Sequence, residues 1–152
     1  MEPTIIFKRR VSGLSQRALT DFVARASHAA GLKGTVTVMV THSREIRSLN
    51  SRFRGQDYAT DVLSFPPALD NGFAGDIAIS LDIAARNARS QRHSLGQEVQ
   101  ILLLHGILHL AGYDHEGDRG EMADKEQRLR RRLKLPTGLI ERVQVRPTRS
   151  RI

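Results

Sequence analysis

The chain contains no cysteine in its 152 residues, which excludes a disulfide framework and thiolate metal sites together. No apolar run approaches the length of a membrane span. The first residues, Glu2-Pro3-Thr4 running into Ile5-Ile6-Phe7, offer neither the apolar core nor the cleavage site of a secretory signal. A cytoplasmic protein with no membrane association is the expectation. Internal repeats are absent, and hydrophobic residues at 39% with charged residues at 26% are ordinary for one globular domain of this length.

Acidic residues run out towards the C-terminus. From Arg128 onward there are nine Lys or Arg residues and a single acid, Glu141, so this segment carries the whole formal charge of +8. The rest is balanced, with fifteen residues of each sign. This divides the chain into a folded domain over 1–135 and a basic tail over 136–152 that need not be ordered. Such a tail suits a polyanion such as RNA, and a solvated tail that aids solubility explains the charge equally well.

Local patterns predict an α+β single domain. Strands are expected over 4–9 and, from the alternation of Val36, Val38 and Val40, over 35–41. Helical spacing runs from Ser15 to Ala30 with Gly31 as its stop. A second helix, capped by Ser43, should bury Ile46, Leu49 and Phe53. Val62 to Phe65, stopped by Pro66-Pro67, and the alternating Ile77 and Ile79 form a hairpin pair across the Asn71-Gly72 turn. Helices follow from Ser80 to about Arg92 and, behind the Ser94…Gln97 capping box, from Val99 to Ala111. A last helix from Asp118 has sparse apolar positions, Met122, Leu129 and Leu133, and is expected on the surface. The sum is a small mixed β-sheet of about four strands covered by helices, with a metal site on a core helix.

That site is the run His105-Gly106-Ile107-Leu108-His109-Leu110-Ala111-Gly112-Tyr113-Asp114-His115. His105 and His109 are one helical turn apart and project from the same face. Gly112 can end the helix in a left-handed residue and let the chain return His115 to a third vertex. Three imidazoles with an open fourth position make a catalytic rather than a structural zinc site, although nickel or another imidazole-favouring ion suits the same ligands. Also missing is the glutamate that follows the first histidine in the HExxH peptidase motif and serves as general base. Position 106 is glycine, which costs about 1 kcal/mol against alanine in a helix. Either a ligand approaches the backbone there or a strand packs tightly against it.

A phosphodiester substrate would call for a cation beside the metal. Arg54, at the end of the second helix beside Gly55, can project from a rigid corner, with Arg52 and Arg47 as alternatives that composition does not separate. Asp61, Asp76 and Asp114 are carboxylates able to orient imidazoles, although for an aspartate beside a turn capping is the more common role. His28, His42 and His93 are read as surface residues.

Three segments in this order, Leu49-Asn50-Ser51-Arg52-Phe53-Arg54-Gly55-Gln56-Asp57-Tyr58-Ala59-Thr60-Asp61-Val62-Leu63-Ser64-Phe65-Pro66, Gly75-Asp76-Ile77-Ala78-Ile79-Ser80, and the histidine run, resemble the YbeY family. The resemblance covers residues 49 to 115. It departs from the family pattern in a short interval between Phe65 and Gly75 and in Ala59, where proline is frequent. It implies a zinc-dependent, single-strand-specific endoribonuclease of ribosomal RNA maturation, notably at the 16S 3′ end, and of ribosome quality control. It maps the metal ligands onto His105, His109 and His115 and the functional arginine onto Arg54. RNA is the implied partner, as ribosomal RNA and ribosomal particles, with ribosomal proteins or a ribosome-associated GTPase beside it. On that reading zinc activates water or a ribose 2′-hydroxyl for attack on phosphorus, and Arg54 stabilises the developing charge. The rivals are a zinc peptidase, which Gly106 disfavours, and a non-catalytic assembly factor in which the metal stabilises an rRNA-binding fold.

Overall fold

The structure is a computed structural model, and it describes residues 2–8, 11–68, 71–114 and 117–137. The elements in chain order are β1 (Thr4–Phe7), α1 (Gln16–Ala30), β2 (Thr35–Thr41), α2 (Ser43–Arg54), β3 (Val62–Phe65), β4 (Phe73–Ser80), α3 (Leu81–Gln91), α4 (Leu95–Leu110) and α5 (Glu121–Arg132). The expected α+β architecture with four strands is present. The sheet order is β1-β2-β4-β3, with β1, β2 and β4 parallel and β3 antiparallel to β4. The mixed character follows from connection length. Helix α1 carries the chain across between the parallel strands β1 and β2, whereas α2 leads from β2 to β3, which runs the opposite way, and the short link from β3 to β4 reverses the chain directly. The basic tail lies, apart from Pro136 and Thr137, outside the described residues.

The period-2 alternation of the strands sorts residues onto two faces. Val36, Val38, Val40, Ile77 and Ile79 face the main core with residues of α1, α4 and α5, while Leu63 and Ala78 face Ile46 of α2 on the other side. Helix α4 is the central element. Its Ile101, Leu102, Leu103, Leu104, Ile107 and Leu108 are all fully buried, each such side chain contributing roughly 1.5–3 kcal/mol through burial. The Ser94–Gln97 capping box starts this helix as expected, with both reciprocal hydrogen bonds present.

Three local expectations are corrected. His42, not Ser43, caps α2, its Nδ1 accepting from Glu45 N; Ser43 instead donates its hydroxyl to Asp82 at 2.5 Å. Phe53 is 64% exposed rather than buried with Ile46. Helix α5 is not a surface helix: Met122, Glu126, Leu129 and Arg130 are all buried. Asp118 still marks its start, because its carboxylate accepts from Gly120 N and Met122 N at 2.9 Å each.

Candidate metal centre

Helix α4 stops as its sequence requires. Gly112 has φ 104°, in the left-handed region, and the amide of Tyr113 donates back to the Leu108 carbonyl at 3.0 Å. This closing turn carries the first half of the site, because the Tyr113 carbonyl returns to lie 3.1 Å from His109 Nδ1. A carbonyl only accepts, so Nδ1 of His109 carries the proton and Nε2 carries the lone pair of the neutral ring. His105 is oriented in the same way from a different element. Its Nδ1 lies 3.0 Å from Glu126 Oε1 on α5.

The two Nε2 atoms converge, 3.2 Å apart, with the rings crossed at 78°. Lone pairs that face each other at this distance repel unless a cation lies between them. Two nitrogens bound to one tetrahedral zinc at about 2.0–2.1 Å stand roughly 3.3 Å apart. The donor set therefore fits a shared ion. Among the described residues no group of three or more His, Cys, Asp or Glu side chains gathers as a metal cluster, and His115 lies outside the described residues.

Glu126 was missing from the carboxylates expected to orient the imidazoles. Burial works against its ionisation, but the hydrogen bond from His105 Nδ1 and the charge and hydrogen bond of the Arg130 guanidinium outweigh burial and hold its carboxyl well below the usual carboxylate range. Arg130 is itself buried, and its Nη2 donates to Glu126 Oε2 at 2.6 Å. One of the nine bases counted from Arg128 onward is thus committed inside the fold. The signal was in the sequence: Met122, Glu126, Leu129 and Leu133 fall on one helical stripe, and a glutamate in an apolar stripe needs a partner. The expected carboxylates stand elsewhere. Asp61 is buried and accepts from Asn87 Nδ2 at 3.3 Å, Asp76 is an exposed residue of β4, and Asp114 is exposed just beyond the glycine turn.

Of the two reasons entertained for Gly106, packing against a strand is the one observed. A Cβ there would stand 3.0 Å from both Ile77 Cδ1 and Ser64 Oγ, and the Ser64 hydroxyl donates to the Gly106 carbonyl at 3.2 Å. A glutamate at this position would have to push back both Ile77 and Ser64. Ser64 also connects the site to Arg54, whose Nη2 donates to the Ser64 carbonyl. Arg54 is the last residue of α2, where Gly55 turns the chain at φ 68°. Its guanidinium does not project freely as expected. It is held at the edge strand β3, 5.3 Å from the centre of the Phe65 ring. The alternatives are placed otherwise. Arg47 is paired with Asp57 at 2.7 Å, and Arg52 lies over Phe53.

Of the histidines outside the motif, His28 and His42 are exposed as expected. His93 is not. Its side chain is 8% exposed, with Nε2 2.6 Å from Oε1 of the fully buried Glu98.

Fold and site together define a class: a single-domain α+β protein with a convergent imidazole pair at the end of a core helix and an arginine at the adjoining sheet edge. The family model described as Endoribonuclease YbeY matches residues 4–134. Over 138 residues the chain is 57% identical to the Endoribonuclease YbeY of Koribacter versatilis (strain Ellin345), covering 91% of this chain and 90% of that one. Identity to the Endoribonuclease YbeY of Solibacter usitatus (strain Ellin6076) is 47% over 144 residues, with coverage of 93% and 95%. The solution structure of TM1509 from Thermotoga maritima superposes with a TM-score of 0.57 at 32% identity, covering 82% of this chain and 85% of that one. The chain belongs to the YbeY family.

Proposed function

We propose that this endoribonuclease holds one zinc ion on His105, His109 and His115 and uses it, with Arg54, to cleave single-stranded RNA. The observation that carries the reading is the pair of Nε2 atoms 3.2 Å apart, each ring fixed through its Nδ1 by Glu126 or by the Tyr113 carbonyl. Gly112 turns the chain in the left-handed region three residues after His109, and His115 lies in the same histidine run three residues further on. Nickel would suit the same imidazoles.

Zinc, when bound, supplies a Lewis acid that polarises a phosphoryl oxygen and makes water more acidic. The protein supplies the rest. Glu126 and the Tyr113 carbonyl keep both rings in the tautomer that presents Nε2 and spare the rotational cost of collecting them. Arg54 brings a permanent positive charge to the sheet edge beside Gly106, where it can bind a phosphate before reaction and stabilise the added negative charge on the phosphoryl oxygens as it develops. Leu102, Leu103 and Leu104, fully buried, hold α4 rigid beneath the site. Gly106 lets β3 approach closely enough for Arg54 to reach this position.

The ribosomal part of the reading is maturation of ribosomal RNA, including the 16S 3′ end, and quality control in the cytoplasm, with ribosomal particles, ribosomal proteins or a ribosome-associated GTPase as partners. It is supported by family membership. Among the described residues no helix is long and apolar enough to cross a membrane.

The test is to purify the protein, measure its metal content and assay cleavage of single-stranded and structured RNA. We expect about one zinc per chain and preferential cutting of the single strand. The His109→Ala variant should lose both metal and cleavage, whereas Arg54→Ala should keep the metal and lose roughly a hundredfold in rate. A folded, metal-loaded protein that cuts no RNA above a nuclease-free control would favour the non-catalytic assembly factor instead.

A further inference from the structure

Phe53 is the most exposed of the large hydrophobic side chains in the described residues, at 64%. It sits in the last turn of α2, directly before Arg54, and belongs to neither hydrophobic cluster. Its surroundings are not those of a stray surface apolar group. The edge of its ring meets Phe65, with centroids 5.9 Å apart and planes at 67°. The Arg52 guanidinium lies 5.5 Å from the Phe53 centroid, and that of Arg54 lies 5.3 Å from the centroid of Phe65. Two adjoining aromatic rings thus lie at the junction of α2 and the edge strand β3, with one guanidinium against each. Phe65 is partly buried and packs against Ile46, Leu63 and Ala78, which gives the exposed ring a fixed support.

We infer that Phe53 is a base-stacking residue for the RNA substrate, with Arg52 and Arg54 taking the flanking phosphates. This deepens the endoribonuclease reading and rests on it. An exposed aromatic ring stacks any base that has left a helix, and guanidiniums on either side track the negatively charged backbone. The chemistry selects an unpaired nucleotide, because a base within a duplex already has both faces covered. The path to the metal centre is short in the fold. Phe65 follows Ser64, the Ser64 hydroxyl meets the Gly106 carbonyl, and Gly106 follows His105. A base seated on Phe53 would hold a single strand across the edge of β3 towards the imidazoles, so the platform supplies a physical cause for single-strand preference.

The test uses the full metal-loaded protein and a short single-stranded 2′-O-methyl RNA, which binds without being cleaved by attack of its own 2′-hydroxyl. Phe53→Ala is expected to weaken binding about tenfold, Phe53→Trp to retain it, and Phe53→Leu to behave as alanine does because it keeps the bulk and loses the ring. A 2-aminopurine base in the oligonucleotide should be quenched by the wild type and not by Phe53→Ala. Thermal stability should be the same in all three variants, since the ring lies outside the core. Equal affinity and equal quenching in wild type and Phe53→Ala would overturn the stacking role while leaving the nuclease reading intact. A wild type that neither binds this oligonucleotide nor cuts RNA would overturn both.

Discussion

The two ends of α4 carry the same pair of residue types to opposite ends. Near its start, His93 and Glu98 meet at 2.6 Å with side chains 8% and 0% exposed. Near its end, His105 and Glu126 meet at 3.0 Å with 18% and 11% exposed. In the first pair the contact uses the outer nitrogen of the ring, Nε2, so the imidazole is turned inward and ties the α3–α4 corner to the helix. In the second the contact uses Nδ1, which turns Nε2 outward to a second imidazole. Glu126 also has Arg130 on its other oxygen, so its charge is balanced by the protein before any metal arrives. A histidine with a carboxylate is therefore not a site by itself. The nitrogen that is used, and the group the other nitrogen faces, decide whether the pair fastens a corner or presents a ligand.

This contrast can be broken most sharply by removing one charge at each end. Glu126→Gln is expected to weaken zinc binding by roughly 10–100-fold, read in competition with a chelating dye, because the ring loses its anionic orienting partner. Glu98→Gln should leave zinc affinity unchanged and lower stability by about 1–2 kcal/mol in chemical denaturation. Equal zinc affinities in the two variants would erase the distinction.

Gly106→Ala sharpens the picture at the metal end. The new methyl gains about 1 kcal/mol of helix propensity, but it meets Ile77 and Ser64 at 3.0 Å, and overpacking a well-filled core costs about 1–3 kcal/mol. We expect a net loss of about 1 kcal/mol in denaturation. A stabilised variant would mean that β3 and β4 yield easily and that glycine is kept there for another reason.

Asp82 gives the smallest effect and serves as the exposed counterpart. Burial opposes its ionisation, yet hydrogen bonds from Ser43 and Ser80 outweigh it and hold the carboxyl below the usual aspartate range. A lowered folded pKa contributes stability above the unfolded value of about 4, and that contribution is lost as pH falls through the folded value. Denaturation should show Asp82→Asn weaker than wild type by a few tenths of a kcal/mol at neutral pH, given solvent screening, with the gap closing in acid. A gap independent of pH would assign the effect to packing.

Much of this was legible from residue order, for identifiable reasons. Helix α4 announces itself through its capping box, its apolar length and the Gly112 stop, all of which are local. The sheet followed from alternation in β2 and β4, and Gly106 already excluded the peptidase motif. What was hidden depends on contacts distant in sequence. Glu126 meets His105 across 21 residues, on a helix so rich in charge that it reads as solvated, and only its place on the Met122–Leu129 stripe gives it away. His93 looked like a surface residue because its partner, Glu98, occupies the first turn of α4, where an exposed acid is the common case. Phe53 fell on the apolar stripe of α2 with Ile46 and Leu49, but α2 ends at the sheet edge, and among the described residues no strand lies beyond β3 to cover the ring. Arg54 was expected to reach out from its corner. Its bond to the Ser64 carbonyl instead places it at the edge strand, next to the helix that bears the histidines.

X-ray absorption at the zinc edge of the purified full-length protein tests the metal centre most directly. Scattering from three imidazole nitrogens at about 2.0–2.1 Å, falling to two in His115→Ala, is the expected result. A protein that carries no zinc when prepared with the metal, or a zinc shell with fewer than two imidazoles, would contradict it.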